Sequence, residues 1–252
     1  DALVQATVPS PARLDRLRVI QNGSDVTGRF RPVNGNERVR RALLDNFGGV
    51  VTITATVPDF SQARLQIVNH SVNGPILSGV RQTPFICQTV SPPLNPEDCS
   101  QTTSVSWRYQ LSSGGGWQTA GSAGAIPAAS QLKLTTLAPT GDRSSTPAVP
   151  MLVRVETGTI NRANYRIGFL VDPTDLNEPS NAAWNGRLVY TFGGGCTGGF
   201  AQGAVGGQNN WLPMEEIVNG YAGAGSRQNA FGIRCSDAVS AETVSMVKER
   251  FS

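Results

Sequence analysis

Short stretches with a two-residue hydrophobic period constrain the fold of this chain more than any other feature of its sequence. Residues 50–57 alternate apolar side chains with threonine, and residues 63–68 repeat the alternation. This period is typical of β-strands with one buried face. A further candidate strand at residues 17–20 precedes Asn22-Gly23, a pair that favours a tight hairpin turn. The first part of the chain is therefore predicted to be an all-β domain, an immunoglobulin-like sandwich over residues 1–82.

The remainder, residues 83–252, is predicted to be a second domain of the α/β class. Proline, glycine and serine are frequent up to residue 150, where we expect surface loops. Beyond that point the predicted elements are strands at residues 151–156, 165–171, 187–192 and 220–226, and a helix that starts at Asp237 or Ser240 and carries Ala241, Val244, Val247 and Phe251 on one face.

Composition and charge exclude several classes of protein. The net charge is +3 and is spread along the chain, whereas nucleic-acid-binding proteins gather their basic residues into a stripe. The one dense basic run, Arg38, Arg40 and Arg41, is interpreted as a solvated face. No apolar run is long enough to cross a membrane. A single histidine, His70, makes a zinc site improbable. We therefore expect no metal, no cofactor, no nucleic acid and no membrane span.

The four cysteines form an even set without metal or redox spacing. Three pairings are formally possible, and we expect Cys87–Cys99 and Cys196–Cys235. Two disulfides indicate an oxidising compartment. The chain starts at Asp1 with no leader before it. It is therefore expected to be a mature periplasmic or secreted protein whose signal peptide has been removed.

A glycine run directly follows the predicted strand at residues 187–192. Glycine reaches positive φ without steric cost, so the N–H groups of Gly194, Gly195 and Cys196 can converge on one point. Converging N–H groups stabilise a developing oxyanion, and a similar loop supplies half of the oxyanion hole in α/β-hydrolases.

Two other interpretations of the glycine run remain open. The spacing Gly193-x-Gly195-x-x-Gly198 matches a dinucleotide-binding fingerprint, with Glu215 or Glu216 at the distance of a ribose contact. The residues that follow the run are poor helix formers, which disfavours this interpretation. The run is alternatively a surface turn fastened by the adjacent cysteine.

No catalytic triad can be written on this chain. The Gly-x-Ser-x-Gly motif of a nucleophile elbow is absent from the sequence. His70 precedes every plausible serine of the second domain, whereas the histidine of an α/β-hydrolase follows its serine. We therefore interpret His70 as a hinge or packing residue.

Residues 184–199 resemble the tannase and feruloyl-esterase branch of the α/β-hydrolases, in which a Trp-Asn-Gly-Arg strand leads into a glycine loop. The chain is still more similar to a bacterial family of exported α/β-hydrolase-like proteins of unknown function. That resemblance also covers residues 154–162, Asn69-His70 with Gly74-Pro75, and residues 240–251, and so extends over most of the chain. Members of that family are longer. In them a Gly-x-Ser-Gly-Gly elbow, the acid and the histidine follow the Lys-Glu-Arg-Phe segment that ends here at Phe251.

The resemblance implies a specific fold and a specific function. Residues 83–252 would be the front half of an α/β-hydrolase sheet. The function would be carboxylic-ester hydrolysis with a serine nucleophile, in which this chain supplies the oxyanion-hole loop at Gly194, Gly195 and Cys196. The triad would come from the C-terminal segment of the same precursor or from a second chain. The alternative is a non-catalytic exported module that binds a polysaccharide or another polymer.

Overall fold

The structure, a computed structural model, describes residues 2–33, 36–45, 48–81, 83–89, 93–137, 147–180, 182–193, 201–202, 212–229 and 236–251. The chain divides into two compact units, Asp1–Ser71 and Val72–Phe251. Most of the regular structure in the described residues is β-sheet, as the alternating sequence predicts.

The first unit consists of strands in two antiparallel sheets. Its strands are β1 (Ala2–Thr7), β2 (Arg18–Gln21), β3 (Ser24–Asp25), β4 (Arg31–Val33), β5 (Asn36–Leu44), β6 (Val50–Thr56) and β7 (Ala63–Val68), and short 3₁₀ turns lie at Pro11–Arg16 and Thr27–Arg29. One sheet has the order β1-β5-β4 and the other has the order β3-β2-β6-β7. The buried faces of both sheets belong to one apolar cluster that includes Val4, Val19, Leu44 and Val51.

The predicted strands and turn of this unit are confirmed. β6 and β7 begin at the predicted residues, and their alternation places Val51 and Ile53 in the core. Asn22 and Gly23 take the positive φ values of 46° and 86° that the predicted tight turn requires.

The second unit is built on a six-stranded sheet of order β14-β15-β13-β12-β8-β9. Its elements are β8 (Ser104–Tyr109), β9 (Gln118–Ala120), β10 (Leu134–Thr136), β11 (Ala148–Pro150), β12 (Leu152–Ile160), β13 (Ala163–Leu170), β14 (Leu188–Thr191), β15 (Ala222–Ser226) and the helices α1 (Met214–Val218) and α2 (Asp237–Phe251), with 3₁₀ turns at Ala123–Ala125 and Ala129–Gln131. Strands β10 and β11 form a separate pair. Among the described strands of this unit, β14 and β15 pair in parallel and the other pairs are antiparallel.

Apolar clusters cover both faces of the central strands. Ile217 of α1 packs with Val153 and Leu170 on one face. Met246 and Val247 of α2 pack with Leu152 and other core residues on the opposite face. Full burial of one such side chain contributes about 1.5–3 kcal/mol. Burial on two faces explains why β12 and β13 are almost continuously buried, without the alternation seen in the first unit.

The predicted Cys87–Cys99 disulfide is present, with the two Cα atoms 5.3 Å apart. Cys99 is fully buried. Its carbonyl oxygen accepts a hydrogen bond from the buried side chain of Gln202, at 2.7 Å. The Gln202 amide N–H in turn donates to the carbonyl of Ile86, at 2.8 Å. Gln202 therefore binds the backbone at both ends of the cross-linked loop, at Ile86 and at Cys99. The predicted Cys196–Cys235 pair lies outside the described residues.

Candidate functional site

Strand β14, helix α1 and strand β15 form a strand–helix–strand crossover whose two strands are parallel. Their register places Leu188 opposite Ala222 and Thr191 opposite Gly225. The carboxyl ends of β14 and β15 therefore lie at the same edge of the sheet. In open sheets with parallel strands, ligands bind at the carboxyl ends. This edge is the place where the glycine run begins.

A turn at residues 184–187 positions the start of β14. Gly186 has a φ of +74°, a value that disfavours other residues. The carboxamide oxygen of Asn185 accepts the Arg187 amide N–H at 3.0 Å. The Asn185 amide N–H donates to the carbonyl of Gly220 at 2.9 Å, just before β15. These bonds within and from the Trp-Asn-Gly-Arg motif therefore align the two parallel strands.

Asn229 joins the carboxyl end of β14 to the first turns of α2. It is only 5% exposed. Its side-chain oxygen accepts a hydrogen bond from the Tyr190 hydroxyl at 2.8 Å. Its side-chain nitrogen donates to the Ser240 carbonyl at 2.9 Å. Its own carbonyl accepts the amide N–H of Gly193 at 2.6 Å. The side chain and the backbone carbonyl of Asn229 together therefore hold the end of β14 and the start of α2 beside each other.

The Tyr190 hydroxyl acts here as a donor. Burial raises the pKa of Tyr190 well above its usual range. The hydroxyl therefore stays protonated at physiological pH and cannot serve as a base. Its ring lies 5.2 Å from that of Phe192, centroid to centroid. Phe192 is 59% exposed and directly precedes the glycine run. The described part of the site therefore consists of the hydrogen-bonded side chains of Tyr190 and Asn229 beside the exposed apolar side chain of Phe192.

The first glycine of the run, Gly193, is held by its bond to Asn229. The predicted oxyanion-hole residues Gly194, Gly195 and Cys196 lie outside the described residues. Their N–H directions are therefore still a prediction. Glu215 and Glu216, the ribose-contact candidates, lie in the first turn of α1.

A second polar cluster is built around Glu242 of α2, which is only 1% exposed. One carboxylate oxygen accepts the amide N–H groups of Ile76 at 2.7 Å, Ser78 at 2.9 Å and also Leu77. The other oxygen accepts the Ser78 hydroxyl at 3.1 Å and the Asn161 side chain at 2.8 Å. This cluster fastens the segment at residues 76–78 to α2.

Burial alone would raise the pKa of Glu242. The hydrogen bonds from the backbone of Leu77, Ser78 and Ile76 and from the Ser78 hydroxyl outweigh burial and lower it. Glu242 is therefore a carboxylate at neutral pH and an acceptor of hydrogen bonds, and it cannot act as a general acid there.

The tight turn between β12 and β13 completes this cluster. Asn161 and Arg162 have φ values of 50° and 63°, unusual for residues other than glycine. The Asn161 amide N–H donates to the carbonyl of Val72 at 2.9 Å, and its carbonyl accepts the Gln228 side chain at 3.2 Å. A Cβ atom at Gly74 would clash with the Asn161 side chain. Gly74 is therefore required by close approach to this turn.

An ion pair holds the last turn of α2 to the sheet. Glu156 of β12 is 7% exposed. It accepts hydrogen bonds from Arg250 at 2.8 Å and from the Tyr165 hydroxyl at 2.7 Å. Burial would raise the pKa of Glu156, but the bonds from Arg250 and Tyr165 and the charge of Arg154 lower it. Both ends of α2 are thus fixed by buried carboxylates or amides.

The described residues contain no group of three or more His, Cys, Asp or Glu side chains that could hold a metal ion. His70 is exposed at the end of the first unit. In the part of the chain that the structure describes, neither helix has the length and apolar content that a membrane span needs.

Sequence reasoning did not identify Asn229, Tyr190 or Glu242. The local signal was the polar turn at residues 227–229 after a strand of small residues, since polar groups at strand ends are frequent in binding sites. Glu242 had no comparable signal, because its partners lie 81 to 166 residues away in the chain.

Fold and site together define a β-rich protein that carries a short parallel strand–helix–strand unit with a glycine run at its carboxyl edge. Comparison with family models identifies the group: residues 1–252 match a tannase-like family of unknown function (DUF6351). The chain belongs to this family. Neither the curated proteins nor the solved structures gave a significant match.

Proposed function

We propose that this chain is part of a carboxylic-ester hydrolase with a serine nucleophile, in which it supplies the oxyanion-hole loop. The observation that carries the proposal is the position of the glycine run, directly after the carboxyl end of β14 in a parallel pair, within a tannase-like family. The N–H groups of Gly194, Gly195 and Cys196 would bind the negatively charged oxygen of the tetrahedral intermediate.

The fold assignment is part of the same proposal. The two-sheet first unit is an immunoglobulin-like sandwich. The six-stranded sheet, with α1 and α2 on opposite faces, is the front half of an α/β-hydrolase sheet. Burial of β12 and β13 on both faces supports this assignment, since the sheets of α/β proteins are covered by helices on both sides.

The reaction needs a nucleophile, a base and an acid that this chain does not combine. The nucleophilic serine, the acid and the histidine would come from the C-terminal segment of the same precursor or from a second chain. In support, no strand pairs with the outer edge of β14 among the described residues. An additional strand can pair there and bring a nucleophile beside the glycine run. The disulfide supports an oxidising, extracytoplasmic compartment.

Substitution in the glycine run tests the proposed chemistry. In the complete enzyme, Gly194→Val or Gly195→Val should lower kcat on a simple aryl ester by roughly 10²-fold or more, the usual effect of losing one oxyanion donor. KM should change little, because the donors act on the transition state. Gly116→Val is the matched control, since Gly116 also lies in a glycine run and has open space around it. Unchanged turnover in both loop variants would reduce the run to a surface turn.

The partner is tested on native material. Purification under native conditions followed by denaturing electrophoresis should reveal a second polypeptide or a longer precursor that contains this chain. Esterase activity should require that additional segment. A single, stable and monodisperse species of this chain's mass, without activity, would exclude the two-part enzyme and favour the polymer-binding alternative.

A further inference from the structure

The first unit contains an open cleft between its two sheets. The cleft encloses about 430 Å³ and is lined by residues of β1, β2, β6, β7 and the adjoining loops. Its walls include the buried apolar side chains of Val4, Val19, Ile53 and Val57. Ligand-binding clefts in proteins typically have volumes of about 300–1,000 Å³.

The cleft lies where one sheet is a strand narrower than the other. The sheet β1-β5-β4 has three strands and faces the four strands of β3-β2-β6-β7. The inner face of β7 is consequently left uncovered. Leu65 lies on the same face as the buried Ile53, its register partner, and yet it is 47% exposed. Phe60, beside the cleft, is also 47% exposed.

Two free strand edges border the cleft. β1 and β7 are each the last strand of their sheet among the described residues. The amide N–H of Val8 donates to Arg38 of β5. Because hydrogen-bonded positions alternate along an antiparallel pair, the N–H groups of Gln5 and Thr7 point away from β5. The same alternation, counted from the bond between Asn69 and Gly49, directs the Arg64 amide away from β6.

These backbone positions explain the lining of the cleft. Gln5, Thr7 and Arg64 line it although their side chains are exposed on the outer faces of the strands. Their main-chain N–H and C=O groups face the opening. An apolar floor between unpaired main-chain groups is what a sheet leaves open where a strand is missing. One added strand would cover the floor and pair with the main-chain groups.

We propose that this cleft is a docking site for an extended peptide strand, which pairs with β1 as the fourth strand of the narrower sheet. Alternate apolar side chains of the peptide would cover Leu65 and Ile53. The side chains between them would face outwards, on the face of the sheet that carries Arg41. Arg41 has no carboxylate partner in the described part of the chain.

Charge indicates that the outward-facing side chains of the peptide are acidic. Residues 1–71 contain nine arginines and six acidic residues, whereas residues 72–252 contain twelve basic and twelve acidic residues. Charged residues occur along the whole chain, but the excess of basic over acidic residues lies on the unit that carries the cleft. An acidic strand complements this charge, and its affinity should fall as salt screens the interaction.

The binding test uses the full chain and the synthetic peptide acetyl-Thr-Val-Glu-Val-Thr-Val-Glu-amide in a titration calorimeter. We expect saturable binding of one peptide per chain. Two N-methylated versions of the peptide are compared, one methylated on the odd-numbered and one on the even-numbered amide nitrogens. One of the two should bind at least tenfold more weakly, because its methyl groups remove the main-chain donors to β1. A peptide with lysine in place of glutamate should bind more weakly at low salt. No saturable binding of the parent peptide would overturn the proposal.

Two pairs of variants locate the site. Gln5→Pro removes an N–H that faces the cleft and should weaken binding at least tenfold, whereas Gln5→Ala keeps that N–H, removes only the acceptor of the Arg41 side chain and should weaken binding much less. Leu65→Ser should weaken binding, whereas Gln66→Ser on the outer face should not. Circular dichroism checks folding, and if Gln5→Pro unfolds, the methylated peptides on the unaltered chain decide. Binding that responds to Leu65→Ser but to neither Gln5→Pro nor methylation would show that the cleft holds apolar side chains without main-chain pairing, and it would overturn the proposed strand.

Discussion

At the scale of single residues, Glu242 is a charged side chain in a place that normally selects an apolar one. Three backbone N–H groups, a hydroxyl and a carboxamide surround it. A buried carboxylate is tolerated only with such a set of donors. Glu242 is therefore buried where α2 contacts a segment that is distant in sequence.

The pH dependence of stability tests this description. The folded pKa of Glu242 lies below its ordinary value of 4.5. Its contribution to the free energy of unfolding is therefore complete at neutral pH and is lost as the pH falls through the folded value. Glu242→Gln should lower the unfolding free energy by about 1–3 kcal/mol at neutral pH. In urea denaturation the difference from the unaltered chain should shrink as the pH falls below 4.5.

Glu249→Gln is the control, because Glu249 is exposed on the same helix. It should change the unfolding free energy by less than about 0.5 kcal/mol. A Glu242→Gln effect on the unfolding free energy that is equally large at neutral pH and at acidic pH would contradict the assignment of a lowered pKa.

Asn229 can be tested in the same way. Asn229→Ala removes the bonds to Tyr190 and Ser240 and should lower the unfolding free energy by about 1–3 kcal/mol. Tyr190→Phe removes only one of these bonds and should cost about 0.5–1.5 kcal/mol. Thermal denaturation followed by near-ultraviolet circular dichroism measures both. An Asn229→Ala variant as stable as the unaltered chain would mean that the end of β14 is held by other contacts.

At the scale of elements, the crossover from β14 through α1 to β15 depends on close packing. A Cβ atom at Gly223 would lie 2.7 Å from the side chains of Ile217 and Pro213. Gly223→Ala should therefore push α1 away from the sheet and lower the unfolding free energy by about 1–3 kcal/mol. Gly124→Ala, where open space is available, should have little effect. Equal stability of the two variants would show that α1 adjusts freely.

Elements with a local signal could be predicted from the sequence. β6, β7, β13 and the length of α2 follow from periodicity alone. β5 was missed because Arg38, Arg40 and Arg41 obscure its alternation; the basic run is mostly exposed, as expected, but it lies on a nine-residue strand. Consecutive strand residues point to opposite faces, so Arg41 lies on the solvated face, whereas Arg40 lies on the face of the buried Ala42 and Leu44 and is only partly exposed.

The buried face of α2 was predicted only in part. Val247 is fully buried and Phe251 packs edge-to-face on Trp184, with ring centroids 6.1 Å apart. Ala241, however, is exposed, and Glu242 is buried beside it. Hydrophobic spacing placed the helix face incorrectly because the buried glutamate has distant partners, which no local pattern reveals.

At the scale of the whole molecule, cysteine chemistry links the fold to its compartment. Alkylation of the native protein without reductant, followed by mass spectrometry, should modify none of the four cysteines. Replacement of both Cys87 and Cys99 by serine should lower the unfolding free energy by about 2–3 kcal/mol, because the cross-link restricts the unfolded chain. One alkylated thiol at Cys196 or Cys235 would refute the second predicted pair.

The Glu242 cluster also determines at which residue a truncated version of the second unit must begin. The sequence suggested a boundary after residue 82, whereas the backbone groups that neutralise Glu242 belong to residues 76–78. A truncated version that starts at residue 83 would carry a buried carboxylate without its backbone donors and without the Ser78 hydroxyl, and it should express as an aggregate. A version that starts at residue 72 keeps the donors with their acceptor. The eleven residues 72–82, which were predicted to belong to the first domain, are therefore the first indispensable piece of the second unit.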